Sequence, residues 1–61
     1  MTLSEEMMRY RAKHRIGQRK FAEMCGLTTQ TVNRVECGKQ KASKMTELKI
    51  RMVLEKEQAN G

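Results

Sequence analysis

The sequence predicts an all-α fold, a compact domain of four to five helices in which four can be placed. The chain has 61 residues, no proline and only two aromatic residues. Its β-branched residues form no long alternating run, and helix formers occupy most other positions. Because a chain of this length has a thin core, we expect one domain over residues 1–57 and a frayed tail over residues 58–61.

The first helix is predicted from a capping box at residues 2–5 to about Arg15. Leu3 and Met7, four positions apart, form its inner face.

The second helix is predicted over residues 18–25, with Phe21, Ala22 and Cys25 on one face. Gly26 follows, and glycine commonly ends a helix in the left-handed conformation.

The third helix is predicted over residues 29–37, with Thr28 as its N-cap and Gly38 as its stop. Val32 and Val35 form its inner face. Two short helices joined by a four-residue turn have the form of a helix-turn-helix, here over residues 18–37.

A fourth helix is predicted from Ser43 or Thr46 through about Glu57. Its spacing at i, i+3 and i+7 assigns to the core Met45, Leu48 and Met52. Further apolar residues exceed what one face needs and are candidates for a dimer contact: Ile50, Val53 and Leu54. The six methionines of the chain predict adaptable core packing, with Met8 or Met24 as a possible partner surface.

Charge is uneven along the chain, which carries a formal net charge of +6. Residues 9–20 contain six basic side chains and no acidic one, and residues 33–44 contain four basic side chains against Glu36. A basic block in a small domain indicates polyanion binding, although it can also be a merely solvated surface.

Several classes of function are disfavoured. Cys25 and Cys37, with a single histidine elsewhere, match no zinc spacing and no disulfide framework, so we expect free thiols in a reducing cytoplasm. No apolar segment is long enough to span a membrane, and the N-terminus lacks the features of a signal peptide. No nucleophile–base pair or metal-ligand set can be assembled, so we expect no enzymatic activity, no cofactor and no metal.

The stretch RIGQRKFAEMCGLTTQTVNRVECGK, residues 15–39, resembles without gaps the lambdoid phage repressor and Cro-like helix-turn-helix regulators, the XRE type. Gln18, Ala22 and Gly26 fall on the family's glutamine, alanine and glycine, and residues 35–38 match its terminator. The similarity continues in looser register to about Leu54. The chain departs from the family at Gly17, where a capping Ser, Thr or Asn is usual, and in lacking a proline after Gly38.

The resemblance implies a lambda-repressor-like fold and a cytoplasmic transcriptional regulator that binds double-stranded DNA. The third helix would enter the major groove, and two copies would bind a pseudo-palindromic operator as a homodimer. Base contacts would come from Thr29, Gln30 and Arg34, with Asn33 beside them. Phosphate contacts would come from Gln18, which also supports the first recognition residue, and from Arg19, Thr31, Gly38, Lys39 and Lys41. Backbone amides near Cys37 and Gly38 would contribute to the last of these contacts, and Arg11 and Glu36 would form an internal ion pair.

Side-chain chemistry supports these roles independently of the resemblance. Glutamine can pair bidentately with adenine and arginine with guanine, and threonine can contact a thymine methyl. The alternative is an antitoxin or a small protein-interaction adaptor on the same fold. RNA binding is disfavoured by the scarcity of aromatic side chains that could stack on bases.

Overall fold

The computed structural model describes the backbone of residues 2–60 and the side chains of residues 2–56. These residues form four α-helices and no strand, which confirms the all-α class and fixes the number of helices at four. The helices are α1 (Leu3–His14), α2 (Gln18–Cys25), α3 (Thr29–Glu36) and α4 (Lys44–Asn60).

Helix α1 begins at the predicted capping box. The backbone N–H of Glu5 donates to Thr2 Oγ1 at 3.2 Å, and the backbone N–H of Thr2 donates to Glu5 Oε1 at 3.1 Å. Thr2 Oγ1 also donates to Glu5 Oε1 at 2.9 Å, and the two hydrogen bonds that the carboxyl accepts, from the backbone N–H and the hydroxyl of Thr2, lower the pKa of Glu5 below its usual value. The helix ends at Arg15, which adopts the left-handed conformation with φ 55°.

The turn between α2 and α3 has the predicted caps. Gly26 lies in the left-handed region with φ 73°, and the next N–H, that of Leu27, donates to Ala22 O at 2.9 Å. Thr28 then caps α3, because its Oγ1 accepts from the backbone N–H of Thr31 at 3.1 Å. Two eight-residue helices are thereby held at a fixed angle by a turn of three residues.

Helix α3 ends one residue earlier than predicted, and α4 begins at the first of the two predicted caps. Ser43 Oγ accepts from the backbone N–H of Thr46 at 3.2 Å. Helix α4 continues to Asn60, beyond the predicted end at Glu57, so residues 58–60 of the predicted tail have helical backbone. Gly61 lies outside the described residues, and fraying of this last turn stays a prediction.

The core lies where all four helices meet, with α1 and α2 each packed against both α3 and α4. Four large side chains from the four helices are fully buried at its centre: Met7, Phe21, Val32 and Ile50. The predicted inner faces of α1, α2 and α3 all contribute to it.

The predicted inner face of α4 is wrong. The side chains assigned to the core are 64%, 56% and 62% exposed, in the order Met45, Leu48 and Met52. The residues assigned to a dimer contact are buried in the core instead: Ile50, Val53 and Leu54. The prediction of methionine-rich core packing is also wrong, because among the described methionines only Met7 is buried.

The physical reason is that α4 carries two apolar arcs on nearly opposite sides of the helix. Residues 50, 53 and 54 form one arc at i, i+3 and i+4. Residues 45, 48 and 52 form the other at i, i+3 and i+7. Either arc satisfies helical periodicity, so periodicity alone does not choose between them. The arc with the β-branched side chains is the one that packs against α1 and α2.

None of the helices among the described residues has the length and hydropathy that a membrane crossing requires.

Candidate nucleic-acid interface

The outer face of α3 is polar and open to solvent. Thr29, Gln30, Asn33 and Arg34 follow one another at i, i+1, i+4 and i+5, and all four are exposed. The opposite face of the same helix, which includes Val32, is buried against the core. Within the described part of the chain, the side chains of Thr29, Gln30 and Arg34 form no hydrogen bond or ion pair. Their donors and acceptors are therefore available to a partner.

A buried ion pair anchors the C-terminal end of this helix. Arg11 of α1 donates from Nε to Glu36 Oε2 at 2.8 Å and from Nη2 to Glu36 Oε1 at 2.7 Å. The Glu36 side chain is only 3% exposed. The hydrogen bond to Glu36 raises the pKa of Arg11, against the opposing effect of burial. The predicted pair is confirmed, in a bidentate geometry that fixes the direction of α3 relative to α1.

Gln18, the first residue of α2, joins this pair to the outer face of α3. Its Nε2 donates to Glu36 Oε1 at 3.1 Å, and its Oε1 accepts from Asn33 Nδ2 at 3.2 Å. The residue that Gln18 supports is thus Asn33, and not the predicted first recognition residue Thr29. The two hydrogen bonds hold the half-buried Gln18 side chain in one orientation at the junction of α1, α2 and α3.

The N-terminal end of α2 offers further donors beside Gln18. Gly17 occupies the N-cap position, and no side chain caps the helix there, as the sequence predicted. The first backbone N–H groups of a helix have no partner within the helix and attract anions. Arg19 is exposed in the same first turn. This end of α2 is suited to a phosphate group.

We call the exposed outer face of α3, formed by Thr29, Gln30, Asn33 and Arg34, the open arc of α3. Thr31 does not belong to it. It is half-buried, and its Oγ1 is 2.8 Å from Thr28 Oγ1. Its hydroxyl belongs to the cap between α2 and α3, which limits the phosphate contact predicted for it.

The segment after α3 differs from its prediction in one respect. The amides expected to clamp a phosphate already donate to carbonyls of α3: Cys37 N to Asn33 O at 2.9 Å and Gly38 N to Val35 O at 3.2 Å. Gly38 adopts φ 75° to close the helix this way. Phosphate contact at this end therefore falls to the exposed side chains of Lys39 and Lys41.

The two hydrogen bonds of Gln18 were not expected from the sequence. Gln18 is 15 residues from Asn33 and 18 residues from Glu36 in the chain, so no local sequence pattern predicts these hydrogen bonds. The spacing of Asn33 and Glu36 at i, i+3 is the one available signal, because it places both on neighbouring turns of α3.

Other reactive groups do not assemble into a site among residues 2–56. No group of three or more His, Cys, Asp or Glu side chains in that part of the chain could hold a metal ion. Both cysteines are free thiols; Cys37 is exposed, and burial raises the pKa of Cys25 to about 11.

Comparisons of the chain with protein-family models, with curated proteins and with solved structures each found no match.

Proposed function

We propose that the protein is a sequence-specific, double-stranded DNA-binding regulator of transcription, of the repressor or Cro type. The observation that carries the proposal is the open arc of α3, in which Thr29, Gln30 and Arg34 have no partner among the residues that the structure describes. The chain as a whole carries a formal net charge of +6, which suits a polyanionic partner. An α-helix fits the major groove of B-DNA, where these three side-chain types can discriminate base pairs.

The roles divide by chemistry. Thr29, Gln30 and Arg34 read base edges, and Asn33 lies beside them with one hydrogen of its Nδ2 donated to Gln18. Gln18 and the amides at the start of α2 bind one phosphate, with Arg19 beside them. Lys39 and Lys41 bind phosphates at the other end of α3. These phosphate contacts position the protein on DNA without reading its sequence.

Two copies on a two-fold-related site complete the proposal. One short recognition helix contacts few base pairs, and pairing doubles the sequence that is read. Ile50, Val53 and Leu54 are unavailable for this pairing because they are in the core. The proposal also implies the cytoplasm, where free thiols persist.

A protein-interaction role is the second candidate, as an antitoxin or adaptor on the same fold. The exposure of Met45, Leu48 and Met52 favours it, since a row of exposed apolar side chains marks partner surfaces.

Selection of bound sequences from random duplex DNA tests the first proposal. We expect an enriched, two-fold-related motif whose affinity falls steeply between about 50 and 200 mM salt. Arg34→Ala should abolish the enrichment at one position of each half-site. Lys56→Ala removes the same charge on α4 and should leave the motif unchanged. Binding without any enriched motif would rule the proposal out.

A further inference from the structure

The outward surface of α4 carries an apolar row that nothing in the described chain covers. Met45, Leu48 and Met52 lie at i, i+3 and i+7 and each exposes more than half of its area. We call these three residues the α4 outer stripe. Since the opposite side of the helix supplies Ile50 to the core, the stripe points away from the body of the domain.

The stripe is bordered by positive charge on both sides. At 3.6 residues per turn, Lys44 and Arg51 lie along one flank, and Lys49 and Lys56 lie along the other. Glu55 is the single acidic residue that borders the stripe, near its C-terminal end.

The basic side chains along the stripe differ in whether they already form ion pairs within the chain. Arg51 donates to Glu47 Oε2 at 2.9 Å and lies 3.8 Å from Glu6 Oε2. The three lysines form no ion pair with any side chain that the structure describes. Their charge remains to be matched from outside the molecule.

The charged residues that flank the α4 outer stripe indicate which kind of partner would bind there. In a parallel second copy, the flanks that meet would be basic on both sides, and like charges there disfavour pairing. In an antiparallel second copy, Glu55 would lie opposite Lys44, but Lys49 would face the same lysine of the other copy and Lys56 would stay unmatched. A lipid surface would need a broader apolar face than three side chains, and such faces carry aromatic residues, which the stripe lacks. A helix with an apolar seam and acidic borders matches both the stripe and its lysines.

We propose that the α4 outer stripe is a docking site for an amphipathic helix of a partner protein, with acidic residues on both sides of its apolar seam. Methionine suits such a surface, because its flexible, polarizable side chain adapts to the shape of the partner. The proposal does not depend on DNA binding, since the stripe and the open arc of α3 share no residue.

The test uses two labelled helical peptides with the same leucine seam, one with glutamate and one with lysine at the flanking positions. Fluorescence anisotropy with the full chain should show the acidic peptide binding at least about ten-fold more tightly. Leu48→Ser should weaken that binding by about ten-fold, the loss typical of a central contact. Lys49→Glu combined with Lys56→Glu should shift the preference toward the lysine peptide.

Two controls separate the stripe from the rest of the surface. Arg34→Ala should leave peptide affinity unchanged, and circular dichroism should show that every variant keeps its helix content. Amide chemical shifts of the full chain should move along α4 when the acidic peptide is added. Shifts confined to α3 would mean that the peptide merely imitates DNA, which overturns the proposal.

Other outcomes also overturn it. Equal affinity for both peptides, or no binding of either, would show that the stripe is not a charge-matched docking site. Sedimentation that shows self-association abolished by Leu48→Ser assigns the stripe to a second copy. Binding to vesicles of anionic lipid, without binding of the acidic peptide, assigns it to a membrane surface.

Discussion

Glu36 is a buried acidic side chain at the point where α1, α2 and α3 meet. A carboxylate that is almost fully removed from water needs an opposite charge and further donors, which Arg11 and Gln18 supply. The arrangement fixes orientation more than it adds stability, because the desolvation of both ions offsets much of their attraction. Its value to the proposed function is that Gln18 and α3 are held in one geometry before any partner arrives.

Removing one partner of this pair should be costly. Arg11→Ala leaves the Glu36 carboxylate buried without its counter-charge, and we expect the free energy of unfolding to fall by about 3 kcal/mol. Urea denaturation followed by circular dichroism measures it. Arg51→Ala is the matched control, because it breaks an exposed pair and should cost less than about 1 kcal/mol. Equal losses in the two variants would contradict a special role for the buried pair.

The two kinds of DNA contact that we propose should respond differently to substitution. Arg34→Ala should cost about 1–3 kcal/mol of binding to the preferred site and relax the choice of base at one position. Lys39→Ala should weaken binding to every sequence equally and reduce the salt slope by about 1. Titrations of both variants against the selected site and a scrambled duplex, at several salt concentrations, distinguish the two patterns. If Arg34→Ala weakens both duplexes equally, Arg34 binds a phosphate.

At the scale of the elements, the caps determine where the short helices end and how they turn. Gly26 and Gly17 have opposite conformational demands, although a Cβ at either position would meet no atom within 4 Å. Gly26 has φ 73°, which L side chains adopt only with strain, whereas Gly17 is extended at φ −86°. Space is the same at both positions, so only the backbone conformation separates them.

Substitutions at the two glycines should therefore change stability in opposite directions. Gly26→Ala should lower the free energy of unfolding by about 1–2 kcal/mol, the cost of the left-handed conformation for a residue with a Cβ. Gly17→Ser should raise it by a few tenths to about 1 kcal/mol, because the hydroxyl can cap α2. Thermal melts of both variants measure the pair of shifts. A Gly26→Ala variant as stable as the parent chain would contradict the role assigned to the turn.

Local signals predicted the elements well, and their failures are physical. The capping box at Thr2, the left-handed Gly26 and the Thr28 cap are decided by neighbours within a few residues, so the sequence contains the whole cause. The core side of α4 depends on which of two apolar arcs meets α1 and α2, a contact between distant parts of the chain. The bonds of Gln18 to Asn33 and Glu36 are long-range for the same reason, whereas the ion pair of Arg11 was predicted from a family resemblance.

At the scale of the whole molecule, the two surfaces to which we assign proposed functions are built from different sides of the same small core. The open arc of α3 and the α4 outer stripe both depend on the side chains buried between the helices, of which Cys25 is one. A core this thin has little stability to lose. Any condition that charges a core side chain should affect both surfaces together.

Alkaline pH is such a condition. Burial raises the pKa of the Cys25 thiol from its usual 9.0 to about 11, so the folded state retains the proton over a range in which the unfolded state releases it. The contribution of Cys25 is thus fully present below pH 9 and is lost as the pH rises through about 11. We expect the chain to lose more stability over this window than a Cys25→Ala variant does, although that variant is less stable at neutral pH because of the cavity it contains.

Denaturant titrations at a series of pH values from about 8 to 11 measure the difference, since the two chains differ only at residue 25. Cys37→Ala is the control, because it removes a thiol that is exposed and should keep the pH dependence of the parent chain. Parallel curves for the parent chain and the Cys25→Ala variant would show that the buried thiol does not couple ionisation to folding. A steeper fall in the parent chain and in the Cys37→Ala variant than in the Cys25→Ala variant would instead assign this part of the alkaline loss of stability to the one buried thiol.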